Sequence, residues 1–382
     1  MKRRELLLGG LSLAALPWTA GAQELKPLRS DMATGPDFDA LYPGTPHLVG
    51  VRPHRLGGVR LELQEAPLAG KRVLHNYGHG GAGITLAWGC AARMVQLIEP
   101  VLQDGSSVAV LGSGVAGLTV ASELRRRWPA LAVTVYAREL DLTKTTSWVA
   151  GGQFEPSGIY REYRSPERLA DLHALVRSSR DRMVQLGARY GVAERDNFTL
   201  DRVQKSMEIG APPDVIAPPE RGLLPFERLR APGRLYKTWL MDPTRLLPTL
   251  VEDLRDEGVA FVKADFRSME DLAALPQTHI INCTGYGSRA LFGDEDVVPL
   301  RGHLLRLQRT DPGQDWFFAG GCENDVIAYV FCRNDDIVVG GTIVLDDDRT
   351  EVDDTDRPEF QRLHDNARKL FTGRVDACAT SS

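Results

Sequence analysis

Apolar residues along this chain follow two rhythms: short unbroken runs, and longer stretches in which they recur every three or four positions. Val108-Ala109-Val110-Leu111 is an unbroken run of the kind that a parallel strand covered on both faces requires. Leu118 to Arg127 then reads as a helix and Ala132-Val133-Thr134-Val135-Tyr136 as a second strand. Helical periodicity extends from Pro166 to Tyr190 and again from Pro243 to Glu257. Between them, the Pro-rich stretch from Ala211-Pro212-Pro213 to Pro218-Pro219 predicts an exposed loop bordering a site entrance. Strand, helix and strand in that order call for a parallel sheet with helices on its faces, so the expected fold class is α/β. The region from about Gly158 to Leu250, with Arg301 to Leu345, suits a second, mixed-sheet domain interleaved with the first.

Composition narrows the function classes. With 382 residues, 43% hydrophobic and 25% charged, the chain sits at the globular average and has length for about two domains. Its 51 acidic and 46 basic residues give a net charge of -5, and no basic run is long enough to track a phosphate backbone, so nucleic acid is not an expected partner. Cys90, Cys283, Cys322, Cys332 and Cys378 are odd in number, scattered and without a C-x-x-C pair. They predict neither a metal site nor a disulfide framework, and leave a single disulfide open. Lys2, Arg3 and Arg4 precede an apolar stretch from Leu6 to Trp18 and the small residues Ala20-Gly21-Ala22, which reads as a signal peptide over residues 1–22. The mature protein is then expected to start near Gln23 and to be periplasmic or secreted. Arg3-Arg4-Glu5-Leu6 resembles a twin-arginine signal, which implies that export machinery as a partner and a redox cofactor bound before export. Nothing after the leader is expected to supply the roughly 20 apolar residues of a membrane span.

The first strand leads into Gly112-Ser113-Gly114-Val115-Ala116-Gly117, a G-x-G-x-x-G in strand-turn-helix-strand context. Gly112 allows the tight turn, Gly114 lets backbone approach a pyrophosphate, and Gly117 lets helix and strand pack closely. The helix N-terminus, at Val115 and Ala116, supplies N–H donors to the phosphates. A ribose-binding acid is expected near the end of the second strand, where Arg138 and Glu139 stand, and Glu139 is the candidate.

Thr145-Thr146-Ser147-Trp148-Val149-Ala150-Gly151-Gly152 is small, hydroxyl-rich and turn-prone, suited to phosphate and a flat ring. It resembles the T-T-x-x-A-A-G segment of the FAD-dependent D-amino-acid oxidases, and Ile280-Ile281-Asn282-Cys283-Thr284-Gly285 resembles their strand that returns to the flavin. Arg301-Gly302 and Val338-Val339-Gly340-Gly341 fit that family's substrate domain. His75-Asn76-Tyr77-Gly78-His79-Gly80-Gly81-Ala82-Gly83-Ile84-Thr85-Leu86-Ala87-Trp88-Gly89 is similar to its signature almost residue for residue. The glycines from Gly78 to Gly83 allow backbone to pass against a flat ring, and a helix from Ile84 to Leu97 would aim its N-terminal dipole at the flavin. The resemblance implies FAD as cofactor, with Gly80, Gly81, Gly83, Ile84 and Thr85 beside it. These glycines also disfavour the helix that would let His75 and His79 ligate a metal together.

In that family the signature lies near the C-terminus, after an R-P segment whose arginine holds the substrate carboxylate, and the G-x-G-x-x-G opens the chain. Here Gly50-Val51-Arg52-Pro53 and His75 to Gly89 precede Gly112. The chain therefore resembles a circularly permuted member over about Leu48 to Leu370, joined through the short polar linker Gln103-Asp104-Gly105-Ser106-Ser107. The expected division is an FAD-binding Rossmann-type domain over 48–157 and 258–300, a substrate domain over 158–257 and 301–345, and a C-terminal segment 346–382.

The resemblance implies oxidation of D-amino acids by hydride transfer to flavin N5, with oxygen as second substrate and 2-oxo acid, ammonia and hydrogen peroxide as products. Arg52 would grip the carboxylate bidentately, a geometry a lysine cannot offer. The Gly81 carbonyl would accept from the amine, Tyr329 aligns with a tyrosine of the substrate domain, and Tyr236 lies near, but offset from, a lid tyrosine. Arg234 and Lys237 would either favour an acidic side chain or stand as solvated charges. No general base is needed if hydride leaves directly. Two alternatives remain: a related oxidase of glycine or N-methylated amino acids, and a non-catalytic flavoprotein. A nicotinamide dehydrogenase is disfavoured, because it needs neither the threonine segment nor the His75 signature.

Overall fold

A computed structural model of the protein describes residues 25–68, 70–200, 205–320 and 329–372. The expected signal peptide, Cys322 and Cys378 lie outside the described residues. In chain order the strands are β1 (His47–Arg55), β2 (Arg60–Leu68), β3 (Lys71–Tyr77), β4 (Ser107–Leu111), β5 (Ala132–Ala137), β6 (Val192–Leu200), β7 (Glu220–Leu223), β8 (Pro232–Met241), β9 (Ala260–Lys263), β10 (His279–Asn282), β11 (Val297–Gln308), β12 (Trp316–Ala319), β13 (Tyr329–Cys332), β14 (Asp336–Gly340) and β15 (Val344–Leu345). The helices are α1 (Gly83–Ile98), α2 (Val115–Arg127), α3 (Pro166–Leu186), α4 (Lys205–Gly210), α5 (Pro243–Asp256), α6 (Met269–Ala273), α7 (Gly287–Phe292) and α8 (Arg357–Phe371).

Six strands form one sheet in the order β2-β3-β10-β4-β5-β9, with β2 antiparallel at its edge and the rest parallel. Alternation within its strands explains why they are apolar throughout. Leu74, Val108, Val110, Val133, Val135 and Ile281 pack into the core that α1 and α2 share, while Val73, Ala109, Leu111 and Ile280 meet Leu272 of α6 and Leu291 of α7 on the opposite face. This is the expected α/β architecture of a Rossmann-type sheet.

The second sheet runs β1-β11-β14-β13-β12-β6-β8-β7, with β15 paired to β11, and is antiparallel except between β6 and β12. One face carries Phe198, Leu305, Leu307, Trp316, Phe318 and Val339 and is closed by Leu363, Leu370 and Phe371 of α8. Side chains one position out of phase, among them Leu304, Phe317, Phe331 and Val338, pack on the other face with Val149 and Leu240.

Several boundaries differ from those read in the sequence. β1, expected in the FAD-binding part, pairs along its whole length with β11 of the second sheet. α3 and α5, expected in the substrate part, pack on α1 and α2, because Leu172, Leu175, Val176, Leu246 and Leu250 join the same core as the parallel sheet. α8 is an integral layer of the second sheet rather than a separate segment. The Pro-rich stretch 211–219 is not fully exposed: Ala211, Val215 and Ile216 are buried, and Asp214 is held by Arg177 of α3 at 2.8 Å. The helical run Gly80–Val101 reaches the length and hydropathy of a membrane span, contrary to expectation, and 61% of its apolar window is buried inside the protein. Cys90, Cys283 and Cys332 are buried and unpaired.

Gly89, the last residue of the signature, serves helix packing. A Cβ built there would stand 2.2 Å from the Leu175 carbonyl oxygen of α3, and the Gly89 N–H donates to Ser179 Oγ at 2.8 Å. Gly89→Ala must push α1 and α3 apart, and is expected to lower the unfolding free energy by about 2 to 3 kcal/mol in denaturant titration. A loss below about 0.5 kcal/mol would show that the helices do not meet there.

Candidate active site

The site is laid out by one register. Asn282 of β10 pairs with His75 of β3 on one side and with Leu111 of β4 on the other, so the three parallel strands end flush. The chain leaving β3 enters Gly78–Gly83 and the chain leaving β4 enters Gly112–Gly117. Both glycine turns therefore open at the carboxyl edge of the sheet, where ligands of such sheets bind. The Asn282 side chain ties this edge together: its Nδ2 faces His75 Nδ1 at 3.3 Å, and its Oδ1 accepts from the Thr284 N–H at 3.1 Å and hydroxyl at 2.8 Å. His75 also meets Gln64 Oε1 at 2.7 Å, and burial pushes its pKa down to about 3, so it is a neutral core residue.

The two turns differ in what fills them. Gly112 has φ +113, and a Cβ on it would meet the Cys283 carbonyl at 2.5 Å; a Cβ on Gly117 would meet the Gly112 carbonyl at 2.0 Å. At Gly114 only the Ser147 hydroxyl comes within 4 Å, at 3.1 Å. Two of the glycines thus serve the protein's own packing and the third faces space, as a pyrophosphate requires. The first N–H of α2, on Val115, donates to Ser147 Oγ at 3.0 Å, and Ala116 follows in the same turn. Thr145 bonds the Leu142 carbonyl, while Thr146 donates to the Val51 carbonyl at 3.0 Å and so ties this segment to β1. At the end of β5, Arg138 is exposed, and the Glu139 carboxylate accepts from the Asp141 N–H at 2.8 Å, which holds its pKa below the usual range.

Across the edge, Gly80–Ala82 forms a single 3-10 turn before α1, whose first turn has no side-chain cap. Gly81 is exposed, and Gly83 and the buried Ile84 follow it. Thr85 uses its hydroxyl internally, donating to the Glu155 carbonyl at 2.7 Å and accepting from the Glu155 N–H at 2.9 Å. His79 is buried, burial lowers its pKa to about 4, and its Nε2 has no partner. An open glycine at α2, an uncapped N-terminus at α1 and an orphaned donor at His79 fit FAD laid across the sheet edge.

Facing this edge, the inner side of the second sheet carries Arg52 and Tyr329 on a floor of glycines. A Cβ on Gly302 would stand 2.4 Å from Arg52 Nη2, and one on Gly340 would stand 2.5 Å from Tyr329 Oη. Gly340 pairs with both Tyr329 and Leu304, so the two side chains lie flat on adjacent strands. Arg52 Nη1 donates to the Thr342 carbonyl at 3.0 Å. Burial raises the Tyr329 hydroxyl, and the adjacent Arg52 guanidinium opposes that shift. Tyr329 stacks on Phe331 with ring centroids 4.2 Å apart.

Tyr236 is brought to the same face but three strands away. It pairs with Asn197, which pairs with Phe317, which pairs with Phe331. It is buried beside Gln153 and Asn197, and burial raises its pKa well above that of a free phenol. Lys237 points outward and pairs with Glu194 at 3.1 Å and Asp196 at 3.3 Å. Sequence reasoning missed Glu155, Gln153, Asn197 and Ser206. The available signal was the polar pair Gln153 and Glu155 in an otherwise small or apolar segment. Among the described residues no cluster of three His, Cys, Asp or Glu side chains could hold a metal ion.

The family described as FAD dependent oxidoreductase (DAO) matches residues 107–381. A D-amino-acid oxidase of Streptomyces coelicolor is 59% identical over 51 residues, which is 13% of this chain and 15% of that protein. A D-amino acid oxidase of Dugesia ryukyuensis is 25% identical over 260 residues, 65% of this chain and 74% of that one. The solved iminodiacetate oxidase of Chelativorans is 16% identical, with a TM-score of 0.48 over 69% of this chain and 79% of that one.

The glycine floor gives a test of the Arg52 placement. Gly302→Ala displaces the tip of a flexible side chain rather than backbone, so the protein is expected to fold and to retain its cofactor. Its affinity for a simple alkyl carboxylate, measured by calorimetry, should weaken by about tenfold, or 1.4 kcal/mol. Unchanged affinity would mean that carboxylates bind elsewhere.

Proposed function

We propose D-amino-acid oxidation as the activity of this chain, which belongs to the family of FAD-dependent oxidoreductases. The observation that carries this reading is the Arg52 guanidinium, laid on Gly302 and facing the edge where the two glycine turns open. Arg52 holds the α-carboxylate by paired charge-assisted bonds, and the Thr342 carbonyl fixes one of its nitrogens. The Gly81 carbonyl accepts from the neutral amine. Tyr329, kept protonated by burial, donates to the carboxylate beside Arg52. The open turn at Gly114 and the uncapped start of α1 after Gly80–Ala82 would hold FAD, which would supply two-electron oxidation of the substrate and return of those electrons to oxygen. The net reaction converts D-amino acid, oxygen and water into 2-oxo acid, ammonia and hydrogen peroxide.

A circularly permuted order accompanies this reading. The family match begins at residue 107, the first residue of β4, while the strand and helix that complete the flavin edge, β3 and α1, come before it. The join is a tight turn in which the Ser106 N–H donates to the Gln103 carbonyl at 2.9 Å and Ser106 Oγ accepts from the Gln103 N–H at 2.9 Å. Export as a folded flavoprotein is proposed from the leader sequence.

Arg52→Ala should leave the flavin spectrum intact. It should lower kcat/KM for D-amino acids by two to four decades, because loss of a buried charged partner costs about 3 to 5 kcal/mol. Oxidation at the parent rate would place Arg52 outside the site. For export, Arg3→Lys combined with Arg4→Lys should hold the protein in the cytoplasm on cell fractionation, and an unchanged periplasmic yield would indicate an ordinary secretory signal.

A further inference from the structure

The inner face of the second sheet borders one acid that the reaction above does not use. Glu155 is 9% exposed, and its backbone is locked to Thr85 in the first turn of α1. Its Oε1 accepts from Ser206 Oγ of α4. Among the described residues no lysine or arginine pairs with it. Burial raises its pKa, and the Ser206 hydroxyl opposes that shift. A carboxyl kept from water without a cation is costly in its charged form, so it must hold a proton or meet a cationic ligand.

Its position indicates which part of a ligand it meets. The residue before it, Phe154, is fastened to β8, its N–H donating to the Trp239 carbonyl at 2.9 Å and its carbonyl accepting from Thr238 Oγ1 at 2.8 Å, so Glu155 stands beside the strand that carries Tyr236. Tyr329 lies beside Arg52, whereas Tyr236 is across β12 and β6 on β8, about 14 Å away at the usual strand spacing. The nitrogen of an amino acid lies about 3 Å from its own carboxylate and therefore stays beside Arg52. Glu155 is thus set away from the carboxylate clamp, at the reach of a side chain rather than of the α-amine. Ser206 holds one carboxylate oxygen in place, and Gln153 Oε1 and Asn197 Nδ2, buried nearby without partners, add polar groups around the same space.

We propose that Glu155 binds a cationic side chain, so that the site selects D-amino acids ending in an ammonium or a guanidinium. Arg52 and Glu155 then form the two ends of a complementary clamp, and the substrate brings Glu155 the cation that no described residue supplies. This selectivity rests on the D-amino-acid reading above, but the clamp can be measured without turnover. The probes are 6-aminohexanoate and hexanoate, which share a carboxylate for Arg52, lack an α-amine and differ only at the far end.

Calorimetry on the parent holoenzyme should show 6-aminohexanoate binding at least about tenfold more tightly than hexanoate, as a new charge-assisted contact predicts. Glu155→Gln should abolish the difference. Equal affinities in the parent overturn the inference whether or not the variant folds. In turnover, the parent should favour D-lysine over D-norleucine in kcat/KM, and Glu155→Gln should bring that ratio toward one. Oxidation of D-norleucine with no preference for D-lysine, or with a preference for D-glutamate, overturns the inference and leaves D-amino-acid oxidation standing. Tight binding of 6-aminohexanoate with no D-amino acid oxidised upholds the cation site and removes the oxidase reading.

Discussion

Parallel pairing of β3 and β4 on either side of β10 is the arrangement from which the site follows. Because Asn282 faces His75 on one flank and Leu111 on the other, two glycine turns that are distant in the chain leave the sheet at the same height. A slip of one residue would move every side chain to the opposite face and bring the turns out of line. The register is held from both sides. Leu74, Val110 and Ile281 point into the core under α1 and α2, and Val73, Ala109 and Ile280 point toward α6 and α7.

Close backbone approach recurs wherever an element must face the ligand edge. α1 leans on α3 through Gly89, α2 leans on the end of β4 through Gly117 and Gly112, and Arg52 lies against β11 through Gly302. Buried ion pairs pin the second sheet on both faces, one on the side of α8 and one in phase with Leu304 and Val338 on the inner side. Asp356, before α8, is bound by Arg301 and by His303 at 2.9 Å, and Asp336 is bound by Arg333 and Arg306 at 2.6 Å. His303 Nδ1 in turn meets Thr342 Oγ1 at 2.7 Å, and the Thr342 carbonyl receives Arg52. Arg52 is thus the half-buried end of a buried polar chain that begins at the opposite layer. Arg301, next to the floor glycine in sequence, belongs to that outer layer because adjacent strand positions face opposite ways.

The dinucleotide turn, the strands around it, the helices at α1, α3 and α5 and the flavin signature were legible in the sequence, because each is set by neighbours within a few positions: an apolar period, a glycine spacing, a proline opening a helix. Arg52 and Tyr329 could be named from the Val-Arg-Pro and Ala-Tyr-Val contexts, and the order of motifs is the ground on which a rearranged chain is proposed. The membership of β1, α3 and α5 was not legible, since an alternating strand or an amphipathic helix says that it has a buried face without saying against which sheet. Glu155 shows the same limit at the level of one side chain. In sequence it is an acid before a proline, marked only by the polar Gln153 two positions earlier in a small and apolar segment. Only the folding of Thr85, Ser206 and β8 around it removes water and leaves no cation among the described residues, because desolvation is the sum of contacts from elements far apart in the chain.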